Sequence, residues 1–315
     1  MTRPSARAVR RRLGDVAAGL LVDRLLCEPP TALHPVAWFG TAMTRLERAC
    51  WADDRARGAF YTAAGLVLGV SPVLLGVPTG PALALTAAGR SLRGTAREVE
   101  QRLLAGDLDG ARALLPALVG RDPSTLDEAG VCAAVVESLA ENTVDAVVAP
   151  ALWALALGAP GTLALRASNT MDAMVGHRSV RHERFGWASA RLDDVACWVP
   201  ARATAALVAL VRPRRAAVVL RVVRRDAGPH PSPNAGVAES AVAAALGVEL
   251  GGPLRYGERR EDRPRLGDGP RPGPADVARA RALVDDAERA LVALLLLGVA
   301  LALLPAHRPP HRSAR

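Results

Sequence analysis

Residues 137–202 alternate between clusters of charged or amide side chains and apolar runs long enough to cross a bilayer, which limits the folds open to the chain. The run from Ala146 to Leu165 is uncharged. As a helix it would be about 30 Å long, the thickness of a hydrocarbon core. A second apolar run begins at Val195 and contains Arg202. Because charged groups at bilayer depth are costly, those found beside such runs commonly mark function.

These runs predict an all-α fold, namely a polytopic integral membrane helical bundle with sizeable polar helical loops. The 315 residues are expected to form one membrane-embedded domain. Half of them are hydrophobic while 23% are charged, a mixture typical of a membrane protein with polar loops. The predicted membrane segments lie near residues 13–26, 59–88, 146–165, 195–211 and 290–306. The length of segment 59–88 is compatible with one kinked span or with a short re-entrant hairpin.

The polar segments between these runs carry helical patterns and turn signals. Residues 89–128 indicate a helical hairpin that is broken at Gly106. Asn234 is predicted to cap a helix over residues 236–246. Residues 251–275 are rich in glycine, proline and arginine, and indicate an irregular loop.

The basic residues restrict both chemistry and topology. All 40 are arginine, so a Walker A lysine, a Schiff-base lysine and a lysine nucleophile are excluded. The net charge of +9 comes without zinc-finger spacing or an aromatic-interleaved basic patch, which argues against nucleic acid and favours membrane topology and anionic lipid. If loop 212–289 is cytoplasmic, a single final span places the basic C-terminal tail outside. Either one basic segment breaks the positive-inside rule or one apolar run does not cross.

Acidic and amide side chains form the main candidate site. They are Glu137, Glu141, Asp145, Asp172, Asp193 and Asp194, with Asn142 and Asn169 beside them. The first three recur at every fourth residue, so a continuous helix would carry them on one face. Such side chains supply the hard oxygen ligands that Mg²⁺ prefers when it bridges to substrate phosphates. A solvated helix face neutralised by arginines is the alternative, and the neighbouring membrane-length runs favour function.

Arginines and a helix start form candidate anion-binding groups. Arg191 and Arg202 suit bidentate binding of phosphate or carboxylate. Arg202 is equally compatible with snorkelling, or with pairing to Asp193 or Asp194. Ser232 and Asn234 precede a helix whose first amides form an anion site or an ordinary cap. The residues alone therefore predict a polytopic membrane protein suited to a metal-phosphate substrate or to ion coupling.

Several long segments occur in a characteristic order. They read DRLLCEPPTALHPVAWFG, ESLAENTVDAVVAP, NTMDAMVGHRSVRHERFGWASARLDDVACWVPAR and HPSPNAGVAESAVAAALGVELGG, followed by RPRLGDG. In order and spacing they resemble the adenosylcobinamide-phosphate synthase family of cobalamin biosynthesis, known as CbiB or CobD. The resemblance extends from Asp23 to about residue 289. This chain has Cys27 and Glu28 where the family usually has Gly-Asp, and His177 and Arg178 where it usually has Tyr-Lys.

The resemblance implies an enzyme of the cytoplasmic membrane, multi-pass and with its active site on the cytoplasmic side. It would join the f-propionate of adenosylcobyric acid to (R)-1-aminopropan-2-ol or its O-phosphate, as an ATP-consuming ligase with Mg²⁺. Its partners would be these two substrates, the lipid bilayer and other enzymes of the pathway. Nucleic acid is not expected.

The resemblance also suggests roles for the candidate residues. In this hypothesis Glu141, Asp145 and Asp172 bind Mg²⁺ around ATP together with Glu137, and Asn142 and Asn169 complete the shell. Arg191 and Arg202 neutralise phosphate charge, with Ser232 and Asn234 nearby, and Asp193 or Asp194 accepts the ammonium proton. Two other classes are compatible with the same residues: an ion-coupled membrane transporter, and a membrane sensor similar to the AmpE family that binds a ligand without catalysis.

Overall fold

The computed structural model describes residues 5–26, 31–120, 122–177, 179–256 and 259–303. These residues are helical apart from one β-hairpin, which confirms the predicted all-α class. The α-helices are α1 (Ala6–Leu25), α2 (Pro35–Cys50), α3 (Arg55–Val70), α4 (Thr79–Thr86), α5 (Gly89–Leu104), α6 (Leu108–Leu114), α7 (Glu128–Thr143), α8 (Ala149–Leu157), α9 (Ala159–Met171), α10 (Trp187–Ala196), α11 (Trp198–Val211), α12 (Ala216–Asp226), α13 (Ala235–Leu246) and α14 (Pro274–Leu301). Two π-helical turns, Val144–Val148 and Asp172–Gly176, join α7 to α8 and follow α9.

One helical segment of the described residues is long and apolar enough to cross a membrane. It is Arg55–Leu75, in which α3 continues into a 3-10 turn. The pair α10 and α11 passes the same test only if its bend of 41° is counted as part of one span. The predicted segments 13–26 and 290–306 fall within α1 and α14, except that residues 26 and 302–303 lie just past the helix ends and residues 304–306 lie outside the described residues.

The uncharged run 146–165, expected as one continuous helix, is divided at Gly158. This residue has φ 75° and ψ −149°, a conformation that favours glycine, and Pro160 then starts α9. Helices α8 and α9 pack against each other. A Cβ at Gly161 would lie 2.3 Å from the carbonyl oxygen of Trp153, so the close return requires glycine there too. The run therefore forms a helical hairpin in which α8 is about 14 Å long and α9 about 20 Å, both shorter than a hydrocarbon core.

Residues 251–275, expected as an irregular loop, contain the β-hairpin. Strands β1 (Leu250–Tyr256) and β2 (Arg259–Leu266) are antiparallel, and a register shift follows Leu250. Gly251, at this irregularity, has φ 73°. The glycines that suggested a loop thus include one that allows a bulge in a strand.

Three apolar clusters fill the interior. The largest joins α5, α7, α11, α12, α13 and the first half of α14. A second lies between α1, α4, α8 and the second half of α14, and a third between α2, α3 and α9. Every residue of α13 is buried, including Glu239, whose carboxylate lies 3.7 Å from His230 Nε2.

Buried ion pairs connect α1, α5 and α14. Arg24 lies 2.7 Å from Asp285 and 3.1 Å from Glu288, while Arg93 lies 3.5 Å from Asp285 and also pairs with Glu288. Asp23 accepts hydrogen bonds from the first two amides of α5. We call Arg24, Arg93, Asp285 and Glu288 the ion network. The Asp-Arg pair that opens the first family-like segment thus has a structural role here.

Candidate functional site

Five carboxylates from four helical elements meet at the base of the α8–α9 hairpin. They are Glu141 at the end of α7, Asp145 in the first π-turn, Asp172 in the second, and Asp193 and Asp194 in α10. The charges of Glu141 and Asp172 both act on Asp145, and those of Asp145 and Asp172 both act on Asp193. We call these five residues the acid cluster.

The hairpin explains how residues distant in sequence come together. Asp145 and Asp172 lie at nearly the same number of residues before and after Gly158, so two helical arms of equal length bring them side by side. Each stands in a π-turn, which interrupts the regular helical spacing of side chains and is frequent at functional sites. A Cβ at Gly176 would lie 1.8 Å from Asp172 Oδ1, so any side chain at this position would have to displace the Asp172 carboxylate.

Asn169 and Cys197 connect the carboxylates. The Asn169 amide nitrogen donates to Asp193 Oδ1 at 2.5 Å, and the Cys197 thiol donates to Asp145 Oδ1 at 3.5 Å. The Asn169 nitrogen also lies 3.7 Å from Cys197 Sγ. The Asn169 Oδ1 atom is buried and has no hydrogen-bond partner among the described residues. A buried acceptor without a donor is costly, and beside carboxylates it is suited to a cation or a ligand donor.

Burial and mutual repulsion perturb the acids. Burial raises the pKa of Asp172 to about 6, with the charge of His177 opposing and those of Asp194 and Glu141 adding to the shift. Burial, followed by the charge of Glu141, also raises the pKa of Asp145, while Arg166 opposes. The negative charges therefore outnumber the nearby positive ones, and a bound cation would offset the excess.

The donor atoms suit Mg²⁺, although they do not form a closed cage. In the part of the chain that the structure describes, no three histidine, cysteine or acidic side chains converge closely enough to hold a metal ion by themselves. Mg²⁺ commonly uses one or two carboxylates and takes its other ligands from water and substrate phosphates. The carboxylates and Asn169 Oδ1 fit that incomplete shell.

Arg191 stands at the edge of the acid cluster. Its Nη1 atom lies 3.4 Å from Asp194 Oδ2, and 71% of its side chain is exposed. An exposed pair of this length contributes little to stability. The guanidinium is therefore accessible to an anionic ligand.

Arg202 pairs with neither Asp193 nor Asp194 among the described residues. Its guanidinium lies 4.0 Å from the ring centre of Trp198, and it donates to the Trp198 carbonyl at 2.9 Å and to Asn234 Oδ1 at 3.3 Å. The side-chain amide of Asn234 in turn donates to the backbone carbonyl of Asp194 at 2.8 Å. Arg202 and Asn234 thus link α11 and the start of α13 to the acid-bearing helix α10.

Asn234 occupies the N-cap position of α13, as predicted, but the side-chain acceptor at this helix start is Ser232. The Ser232 hydroxyl accepts from the amides of Asn234 at 3.3 Å and Ala235 at 3.1 Å, and the Ser232 amide donates to His230 Nδ1 at 3.1 Å. The Asn234 side chain makes no capping hydrogen bond because it is engaged with α10 and α11 instead.

Two candidate residues point to other partners. Glu137 is buried, and its Oε1 atom accepts a hydrogen bond of 2.8 Å from the Gly251 amide in β1. The Asn142 amide donates to the Ser138 carbonyl, one turn earlier in α7, at 3.0 Å. The face expected to carry Glu137, Glu141 and Asp145 is interrupted because the first π-turn begins at Val144.

Cys197 and His177 belong to the site although the sequence analysis gave neither a role there. Cys197 follows Asp193 by four residues, so helical spacing could have predicted that both side chains lie on the same face. Its buried thiol contacts the cluster, whereas Cys50 and Cys132 are buried away from it among apolar residues. Arg178 and the pair Cys27 and Glu28 lie outside the described residues.

Together, the fold and the acid cluster define an α-helical protein with a membrane-length helix and an interior carboxylate site built on a broken helical hairpin. Residues 16–284 match the model of the CobD/CbiB protein family, and the chain belongs to that family.

Curated relatives share this family over most of their length. The cobalamin biosynthesis protein CobD of Mycobacterium tuberculosis H37Rv is 46% identical over 305 residues, which is 91% of this chain and 96% of the relative. The CobD proteins of Rhodobacter capsulatus and Chromobacterium violaceum are 44% and 41% identical, and cover 79% and 89% of this chain and 84% and 96% of their own. No solved structure matches the chain.

Proposed function

We propose that this chain is an enzyme of cobalamin biosynthesis that forms an amide between the f-propionate of adenosylcobyric acid and (R)-1-aminopropan-2-ol or its O-phosphate. Amide formation from a carboxylate and an ammonium in water is uphill, so the proposal includes ATP as the activating co-substrate. The observation that carries it is the excess of carboxylates over positive charges at the base of the hairpin, in a member of this family.

The acid cluster is proposed to bind Mg²⁺ together with ATP. Glu141, Asp145, Asp172 and Asn169 Oδ1 would supply protein oxygens, and the ion, when bound, would neutralise phosphate charge. Arg191, held only by a long exposed pair, would turn from Asp194 toward phosphate oxygens.

A partly exposed carboxylate of the acid cluster is proposed to deprotonate the amine substrate. The side chain of Asp194 is partly exposed beside Arg191, and it would accept a proton from the ammonium group. In the proposed reaction a propionate oxygen takes the γ-phosphoryl group of ATP and ADP leaves, which gives an acyl phosphate. The free amine then forms the C–N bond at the acyl carbon and releases its second proton to water, and phosphate leaves with the electrons of the broken C–O bond. Asp193 is the alternative acceptor, although it already receives the Asn169 hydrogen bond.

The same proposal includes a multi-pass protein of the cytoplasmic membrane with its site facing the cytoplasm. Exposed leucines support this: Leu74 and Leu75 at the end of the membrane-length helix are 88% and 86% exposed, and Leu297 and Leu301 of α14 are 53% and 57% exposed. A surface of this kind is suited to lipid. Corrinoid, aminoalcohol and other enzymes of the pathway are the proposed partners.

Complementation tests the proposal most directly. A strain blocked between cobyric acid and cobinamide should regain corrinoid synthesis with the wild-type chain and with Asp109→Asn, a change at an acid whose side chain is 93% exposed. The Asp172→Asn variant should fail although it reaches the membrane. A transporter or a sensor would not restore the missing reaction.

A direct assay distinguishes the two amines. Membranes that contain the protein, adenosylcobyric acid, ATP and Mg²⁺ should yield an amide that mass spectrometry detects with the free or the phosphorylated aminoalcohol. If neither amine yields product in membranes that contain the folded protein, the proposed reaction is wrong.

A further inference from the structure

A basic groove lies between the first turns of α1 and the last turns of α14, away from the acid cluster. It encloses about 930 Å³. Its charged lining is Arg7, Arg10, Arg11, Arg12 and Asp15, and its apolar lining includes Val299 and Leu303. We call it the arginine groove. Arg12 anchors it to the tip of the α8–α9 hairpin by donating to the Leu155 carbonyl at 3.2 Å, whereas the acid cluster lies at the hairpin base.

The four arginines differ in what they contact. Arg12 is held by the Leu155 carbonyl, and Arg11 lies 3.9 Å from Asp15 in an exposed pair. Arg7 and Arg10 make no hydrogen bond or ion pair within the described residues. These two guanidinium groups are therefore available to an anion.

The chain offers little negative charge to balance them. Residues 1–12 and 304–315 both contain arginines and no acidic residue. The exposed N-terminal turn of α1, capped by Ser5, adds the positive end of a helix dipole to the same groove. An anion from outside the chain is the remaining source of compensation.

The apolar wall indicates which kind of anion fits. Leu303 is 59% exposed, and the preceding turns of α14 continue its surface with the exposed Leu296, Leu297 and Leu301. A free phosphate or a nucleotide would leave this wall in water. A phospholipid presents a phosphodiester and acyl chains together, which matches arginines beside exposed leucines.

We propose that the arginine groove binds the phosphodiester headgroup of an anionic phospholipid, with the acyl chains lying along the outer face of α14. Arg7 and Arg10 contact the phosphate, and Arg12 fixes α1 to the hairpin tip. The bound lipid bridges α1 and α14 at the membrane surface. This inference is independent of the proposed catalytic activity.

Lipid titration of the purified full-length protein in neutral detergent tests the inference. Native mass spectrometry would compare phosphatidylglycerol with phosphatidylcholine of the same acyl chains. Phosphatidylglycerol should bind at least tenfold more tightly. The Arg7→Gln/Arg10→Gln variant should lose about 30-fold of that affinity, equivalent to about 1 kcal/mol for each arginine near an anionic headgroup.

A matched variant controls for the loss of charge. Arg97 of α5 and Arg221 of α12 are exposed and line no part of the groove, so Arg97→Gln/Arg221→Gln should bind phosphatidylglycerol as the wild type does. Thermal unfolding in detergent should be alike for both double variants without lipid, since neither breaks an ion pair.

Three results would overturn the inference. The first is equal affinity for phosphatidylglycerol and phosphatidylcholine. The second is unchanged phosphatidylglycerol binding by the Arg7→Gln/Arg10→Gln variant. The third is displacement of phosphatidylglycerol by inorganic phosphate at the same concentration as the lipid. The last result would indicate a site for free phosphate.

Discussion

Two buried regions of this protein contain charged side chains, and they differ in how the charges are balanced. In the ion network, Arg24 and Arg93 each pair with both Asp285 and Glu288, and the side chain of Glu288 is entirely buried. In the acid cluster, five carboxylates meet, and among the described residues the opposing charges come from Arg166, Arg191 and His177. The ion network is balanced in charge, whereas in the acid cluster the carboxylates outnumber the positive charges of the described residues.

This difference separates structural charges from functional ones. Removing one partner of a buried, balanced pair leaves an uncompensated charge and is strongly destabilising. Removing one carboxylate from a buried, unbalanced group relieves repulsion. Proteins commonly keep such unfavourable groups where a ligand or a reaction requires them.

The largest expected effect is on the ion network. Glu288→Gln should lower the free energy of unfolding by about 3–5 kcal/mol, because Arg24 and Arg93 would share only Asp285. Denaturant unfolding of the purified protein measures this, with Glu98→Gln at an exposed position of α5 as the control. A loss below about 1 kcal/mol would contradict the structural role assigned to the network.

The second effect concerns activity. Asp172→Asn should lower the rate of amide formation about 100-fold or more, since it removes a proposed cation ligand, and should leave stability equal or higher. Rates are compared per amount of folded protein in membranes. Full activity, or a loss of stability like that of Glu288→Gln, would make Asp172 a structural residue.

A smaller effect should appear in the dependence of stability on pH. The folded-state pKa of Asp172 is about 6 and its ordinary value is 3.8, so the folded protein binds more protons between these values. The free energy of unfolding should therefore rise as the pH falls through about 6, by about 1 kcal/mol between about pH 7 and about pH 5.

Comparison of Asp172→Asn with the wild type isolates this contribution. The variant should be more stable than the wild type near neutral pH, and the difference should shrink toward pH 5. A wild type that loses stability over this range in the same way as the variant would rule out the contribution of Asp172.

The smallest effect tests the connection within the site. Cys197→Ser keeps a donor for Asp145 and should retain activity within about twofold, whereas Cys197→Val removes it and should lower activity about fivefold, the worth of about one hydrogen bond. The same amide assay measures both variants. Equal activities of the serine and valine variants would show that the thiol does not position Asp145.

Much of the architecture could be predicted from local sequence. The all-α class follows from the helical periodicity, and the hairpin break at Gly106 is confirmed by its φ of 73°. The acid cluster was also predictable in part, because Asp193 and Asp194 are adjacent and Asn169 precedes Asp172 by three residues. The spacing of Glu137, Glu141 and Asp145 was misleading, since it assumed a regular helix.

The number of membrane-length helices could not be predicted from composition. Residues 146–165 have the same hydropathy whether they cross a bilayer or fold back, and the return at Gly158 depends on the close approach of Gly161 to Trp153. The role of the Asn234 side chain could not be predicted from local sequence either. Asparagine is a residue type that commonly caps helices, but here the side chain links α13 to α10 and α11.

The sequence by itself determined the helical class, the gathering of acids beside apolar runs and the resemblance to a family, because these depend on residue types and their local order. Only the tertiary structure decided which charges are balanced and which are not. Arg24 meets Glu288, and Asp145 meets Asp172, through packing between distant helices. The compensation of a buried charge depends on distances that no local pattern specifies.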